Sequence, residues 1–200
     1  MTIINKLLRK TGDDRPSTDA EAKCSFLMTQ YDQWIMGSLL EKECLTAEMK
    51  KFQEFLKCCS KWQEHKPYSI HQELQLMKKY LQLAQVADEN IKYNFSLTNH
   101  SSEGQVVYPG ALLPLIQNAC QYGYHKVDKR GVQVQVSLSD SSCNLSVSHK
   151  ANPYLKDARK TDILHYYKSR LLRCYSEEHS LVLNSNTNTF RATLFLKLNA

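Results

Sequence analysis

Two hundred residues, 42% of them hydrophobic, can bury a substantial core in one or two domains. The net charge of +6 is spread along the chain without a dense basic helical face, which argues against a nucleic-acid-binding protein. No apolar run approaches the roughly 20 residues that span a bilayer, and the seven scattered cysteines, an odd number with no Cys-x-x-Cys, read as reduced thiols rather than a disulfide frame or metal site.

The chain opens on Met1–Lys10, amphipathic but too short and too charged for a signal peptide, so a cytoplasmic protein is expected. Ile3, Ile4, Leu7 and Leu8 suit a short docking helix, and the polar stretch around Gly12 and Pro16 reads as a linker, making 1–22 an N-terminal arm. A helix capped by Thr18 or Asp19 should follow, with an apolar stripe at Leu27, Met28, Tyr31, Ile35 and Leu39. After a break at Glu43–Thr46, a second stripe runs through Leu45, Met49, Phe52, Leu56, Cys59 and Trp62. Two such helices make an antiparallel hairpin over 23–66. A lone hairpin cannot bury both stripes, so a homodimer closing a four-helix bundle is expected, with Leu27, Tyr31, Phe52 and Leu56 at its interface.

Pro67 ends that unit. Ser69 and Gln72 fit a capping box before a helix reaching Gln85, with Ile70, Leu74, Met77, Leu81 and Ala84 on one face. Period-two alternation marks strands at Ile91–Leu97, Val132–Leu138 and Cys143–Ser148. A helix at Asp162–Tyr175 and strands at Ser180–Asn184 and Thr189–Leu198 complete an α+β two-layer sandwich over 67–200, its sheet mostly antiparallel.

Tyr108–Gly123 is the most informative stretch. Pro109 and Gly110 mark a turn, and Leu112, Leu115, Ile116 and Ala119 then follow a helical rhythm. Pro114 lies in the first turn, where its missing N–H costs nothing, and Gly123 closes the helix as a residue free to take positive φ. Within this apolar helix sits Asn118, whose amide needs partners: neighbouring backbone, or a ligand in a pocket.

Pro109, Leu112, Leu113, Pro114, Leu115, Ile116, Asn118, Ala119 and Gly123 together resemble the N-box helix of sensor histidine kinases of the "internal region" type, whose catalytic domain has the gyrase, histidine kinase and MutL ATPase fold. The resemblance extends in order over about 25–198. Glu73, Leu74, Tyr80, Leu81 and Leu83 match the helix that opens the ATPase domain of that family, and Leu164, Arg170 and Leu171 match the helix that faces the phosphates. It implies that the asparagine holds the Mg²⁺ accompanying ATP, that the preceding residue is Glu where Gln117 stands, and that His precedes the closing glycine where Tyr122 stands.

Other positions depart from the family further. Tyr31–Leu39 aligns with the phospho-acceptor segment, where Ser38 and Leu39 fit but Gln33 replaces the histidine, and no His occurs before His65. An amide is not a nucleophile as imidazole is. His71 is a conceivable substitute acceptor and reads instead as an exposed first-turn residue. The adenine-binding Asp-Asn-Gly-x-Gly is replaced by Ser148–Pro153, where His149 or Asn152 offers a hydrogen bond but no carboxylate. The second glycine motif has Thr161 and Ile163 for its glycines, Asp162 between them, and Tyr166 for its asparagine. Glycines there let the backbone approach phosphate. Tyr122, Ile163 and Tyr166 are large enough to fill the vacated pocket.

The resemblance therefore implies a scaffold without the chemistry: a non-enzymatic pseudo-histidine kinase, with no catalytic residue, no metal and no cofactor. It would regulate two-component signalling by binding a response regulator or sensor kinase through Gln30, Asp32 and Gln33. The alternative is a divergent histidine kinase that still uses Asn118 for Mg·ATP.

Overall fold

The structure, a computed structural model, describes residues 18–41, 46–100, 104–126 and 130–198. The proposed docking turn at Ile3–Leu8, most of the arm, and Leu45 lie outside the described residues. The elements in order are α1 (Thr18–Gln30), α2 (Gln33–Glu41), α3 (Thr46–Ser60), β1 (Tyr68–Ser69), α4 (Ile70–Ala87), β2 (Tyr93–Asn99), β3 (Val106–Val107), α5 (Leu113–Tyr122), β4 (Val132–Leu138), β5 (Ser142–Lys150), α6 (Asp162–Tyr175), β6 (His179–Ser185) and β7 (Thr189–Lys197). Among the described residues no helix is long and apolar enough to cross a membrane.

Alternation in the strands produces the sheet. It has five strands in the order β2-β4-β5-β7-β6, with β2 parallel to β4 and every other pair antiparallel. Val132, Val134, Val136 and Leu138 share the buried face with Cys143, Leu145 and Val147 and with Phe190, Ala192, Leu194 and Leu196. The intervening Gln135, Ser137 and Asn144 face solvent, as expected when only one face is covered. The parallel β2–β4 step is closed by Gly131 at φ +67, where an added Cβ would lie 2.1 Å from the Lys92 carbonyl oxygen. A two-stranded ribbon, β1 against β3, lies apart from this sheet.

Helices cover the apolar face: α5 touches β4 and β5, α6 touches β6, and α4 packs on α5. The apolar face expected for α4 is buried in full, from Ile70 through Ala84. This part is the expected α+β two-layer sandwich.

The N-terminal helices differ from expectation. The helix predicted through Leu39 is two helices, because Asp32 caps a new one: its Oδ1 accepts from the Ile35 N–H at 3.0 Å. The first of them turns a different face inward. Ala22, Ser25, Phe26, Thr29 and Gln30 are buried, while Leu27 and Tyr31 are 41% and 52% exposed. That smaller, more polar face lets α1 lie close along α6, while α2 and α3 pack on α4. The separate hairpin at 23–66 is thus replaced by helices that share one core with the sandwich. Phe55 meets Tyr80 at 5.9 Å and Trp62 meets Tyr68 at 6.1 Å between ring centroids. Ile35, Leu39, Phe55, Cys59 and Trp62 are buried within one chain. Of the expected interface residues, Phe52 and Leu56 are half-buried against this core, leaving Leu27 and Tyr31 outward.

Candidate functional site

The loop that enters α5 is held by a carboxylate from another helix. Glu73, in the first turn of α4, is fully buried. Its Oε1 accepts from the N–H groups of Leu112 (2.9 Å) and Leu113 (3.1 Å), and its Oε2 from the N–H of Gly110 (3.2 Å) and the Tyr68 hydroxyl. Leu112 has no capping side chain, so Glu73 serves as the cap of α5 and engages the lone pairs of both oxygens there. Burial pushes its pKa up, against the opposing pull of these donors. Gly110, at φ +69, makes the turn. From α6, the Arg170 guanidinium donates to the Pro109 carbonyl, the Tyr167 hydroxyl to the Ala111 carbonyl, and the Tyr175 hydroxyl accepts from the Tyr108 N–H.

Arg170 is 2% exposed. It lies 4.9 Å from the Phe26 ring centroid and 3.8 Å from Glu64, which also pairs with Arg173 at 3.3 Å. One side chain therefore ties α6 to the α5 loop, to α1 and to the segment after α3.

Two adjacent amides on α5 then face different neighbours. Gln117 donates from Nε2 to Asp32 Oδ2 at 2.9 Å and to the Thr29 carbonyl at 3.2 Å. Asp32 Oδ2 also accepts from the Tyr80 hydroxyl at 2.8 Å. Burial raises the Asp32 carboxyl, partly offset by these bonds. Asn118, 2% exposed, accepts on Oδ1 from the Thr161 hydroxyl at 2.6 Å. Thr161 caps α6, its Oγ1 accepting from the Leu164 N–H at 3.3 Å. So the amide expected at a Mg²⁺ site is bonded to a residue that stands where the resembled family has a glycine.

The expected partner-binding residues divide. Gln30 and Asp32 are 7% and 9% exposed, not on an open face; Gln30 donates to the Cys59 carbonyl at 2.7 Å, and only Gln33 is exposed. Their polarity invited a surface reading, yet both are spent holding the α1–α2 corner. Gly123 also departs from expectation. It is extended, φ −68, and is needed for space, since a Cβ would lie 2.5 Å from the Ala119 carbonyl oxygen. His71 is exposed, as expected. His149 is buried against Phe190, centroids 5.1 Å apart, with Nδ1 2.9 Å from the Lys150 carbonyl oxygen.

A partly open cleft of about 380 Å³ lies between the α1–α2 corner, the end of α5 and the start of α6. Tyr122, Ile163 and Tyr166 line one side, and Leu27, Tyr31 and Trp34 the other. The large residues thus narrow the pocket from one wall while the N-terminal helices form the opposite one. Among the described residues, Asp32 and Asp162 are the charged side chains lining it, and no lysine or arginine does so. The sequence signal for this wall is Asp32, a preferred N-cap residue immediately before an apolar segment.

The residues at the resembled Mg²⁺ position are engaged within the chain: Asn118 Oδ1 accepts from Thr161, and Asp162 brings negative charge to the first turn of α6. A phosphate needs cations or free N–H groups there.

No family model matches the chain, and no curated protein matches it. Solved structures do. The catalytic domain of histidine kinase ThkA is 11% identical with a TM-score of 0.43, covering 68% of this chain and 96% of its own. The Acinetobacter baumannii histidine kinase AdeS is 10% identical with a TM-score of 0.49, covering 92% and 96%. The cytoplasmic segment of histidine kinase QseC is 16% identical with a TM-score of 0.41, covering 92% and 97%. At these identities and scores the likeness assigns no residue a role.

Proposed function

We propose that the chain is a catalytically inactive histidine-kinase-like protein that regulates two-component signalling by binding a response regulator or a sensor kinase. The observation that carries this reading is the pairing of Gln117 with Asp32 and of Asn118 with Thr161. Those contacts occupy the α5 amides from within the chain and seat α1 and α2 beside the first turn of α6. Gln33 at the expected phospho-acceptor position supports the same reading, since it has no nucleophilic nitrogen. The exposed Leu27, Tyr31 and Gln33 are the contact residues we assign to a partner or to a second copy.

A thermal-shift titration with ATP and Mg²⁺, run on the parent and on Asn118→Ala, tests inactivity. A ligand at 100 times its dissociation constant stabilises by about 2.7 kcal/mol. No shift at millimolar ATP is expected, whereas a shift lost in Asn118→Ala sinks the reading and favours the divergent kinase. A second cleft, lined by Lys61, Lys66 and Lys79, lies away from Asn118, so a shift that survives the mutation reports on that cleft instead. Pull-down against purified receiver domains and kinase dimerisation domains tests the partner: capture is expected, and weakens with Tyr31→Asp.

A further inference from the structure

We propose that the cleft between the α1–α2 corner and the first turns of α6 binds a small organic cation of the quaternary ammonium class. Its volume, about 380 Å³, falls in the range of small-molecule sites. Four aromatic side chains from three parts of the chain line it: Tyr31 at the corner, Trp34 on α2, Tyr122 at the end of α5 and Tyr166 on α6. Rings presented to one cavity attract a cation through their negative faces, and Trp and Tyr do so best.

The charges agree. In a chain of net charge +6, the charged residues lining this cleft are, among the described residues, Asp32 and Asp162. Asp32 is committed to Tyr80, Gln117 and the Ile35 N–H, so it contributes charge from behind the wall. Asp162 is exposed in the first turn of α6 and is placed to meet a ligand directly. Tyr122 is pushed up by burial and then by Asp162 and Asp32, and Tyr166 by burial, Cys24, Asp162 and Glu21. The same features disfavour an anion, so the cleft's chemistry is the reverse of a nucleotide-phosphate site. Apolar contact from Leu27 and Ile163 suits the methyl groups of a quaternary ammonium, which is weakly hydrated.

The inference is independent of the inactive-kinase reading, because the probe carries no phosphate and its binding is measured apart from ATP. Isothermal titration of the full chain with choline is compared with its uncharged tert-butyl isostere, which has the same shape. Saturable choline binding is expected, at least about tenfold tighter than the isostere, a ratio equal to about 1.4 kcal/mol. Asp162→Asn should weaken choline about tenfold. Tyr166→Leu, which keeps an apolar side chain but removes the ring, should weaken it similarly, while Tyr166→Phe, which keeps the ring, should retain it. Asp162 is exposed, so its variant tests the site even if Tyr166→Leu does not fold. Absence of saturable choline binding, equal affinity for the uncharged isostere, or affinity unchanged in Asp162→Asn overturns the proposal.

Discussion

Gln117→Glu places the residue of the resembled kinases at the contact that seats the N-terminal helices. The Gln117 amide donates to Asp32 Oδ2 at 2.9 Å in a buried setting. A glutamate there would set two carboxylates at that distance, a repulsion of about 6 kcal/mol at an effective dielectric near 20. The amide's bonds to Asp32 and Thr29 would be lost as well, at about 1–3 kcal/mol for a buried group left unpaired. Partial relief comes from a proton shared by the pair, which leaves a net loss at pH 7 of about 3–5 kcal/mol. At about 2–4 °C per kcal/mol for a chain of this size, the melting temperature should fall by roughly 6–20 °C.

The pH dependence identifies the cause. Burial already raises the Asp32 carboxyl, and a second carboxylate raises the pair further. A folded-state pKa above the unfolded value contributes stability that is present below the ordinary carboxylate range, near about 4, and is lost as pH rises through the raised value. The deficit of Gln117→Glu should therefore shrink from pH 7 to pH 5, and more steeply than that of Gln117→Met, about 1–3 kcal/mol, which adds no carboxylate and only removes a donor that lowers Asp32. Differential scanning fluorimetry at both pH values reads this, and limited proteolysis within 18–41 reads release of α1 and α2. A melting temperature within about a degree of the parent at pH 7, or a deficit equal at both pH values, would refute the Gln117–Asp32 contact as the latch.

Further expectations concern the same framework. Thr161→Val removes both the α6 cap and the hydroxyl on Asn118, and should cost about 1–2 kcal/mol by denaturant melts; an unchanged midpoint would mean Asn118 finds its partner elsewhere. Arg170→Ala leaves the Pro109 carbonyl without its donor and Glu64 to Arg173, and should cost about 1–3 kcal/mol, with Arg170→Lys failing to restore it because an ammonium lacks the guanidinium fork. A fully stable lysine variant would contradict that account. Gly131→Ala forces a Cβ onto the Lys92 carbonyl at positive φ and should cost at least about 1–3 kcal/mol, with faster amide exchange in Tyr93–Asn99; protection equal to the parent there would count against the β2–β4 register.

Where one side of an element is apolar and its period strong, the sequence was readable. The bounds expected for β4 and α6 are those observed, and those of the helix from Ser69 lie within two residues. Val132–Leu138 could be read because alternation leaves one choice of inward face. In α1 the same rule misled. Leu27 and Tyr31 look like core, but the buried face is Ala22, Ser25, Phe26, Thr29 and Gln30. Three of those five side chains are polar: Thr29 bonds within its own helix to the Ser25 carbonyl at 2.8 Å, and Gln30 reaches out of it to the Cys59 carbonyl. A partner 29 residues away, as in the second case, leaves no mark on local periodicity.

The site divides along the same line. Which chemical groups the chain possesses was decided by residue identity alone: Gln33 without an imidazole, Thr161 and Ile163 without the freedom of glycine, Asn118 inside an apolar helix. No arrangement in space changes what those side chains can donate, accept or attack. What they face was decided by tertiary packing. Asn118 meets Thr161 across 43 positions, Gln117 meets Asp32 across 85, and Tyr31, Trp34, Tyr122 and Tyr166 come to line one cleft only when α1 lies along α6. A buried polar group must find a partner wherever the folded chain brings one, and that choice belongs to the whole core rather than to any stretch of it.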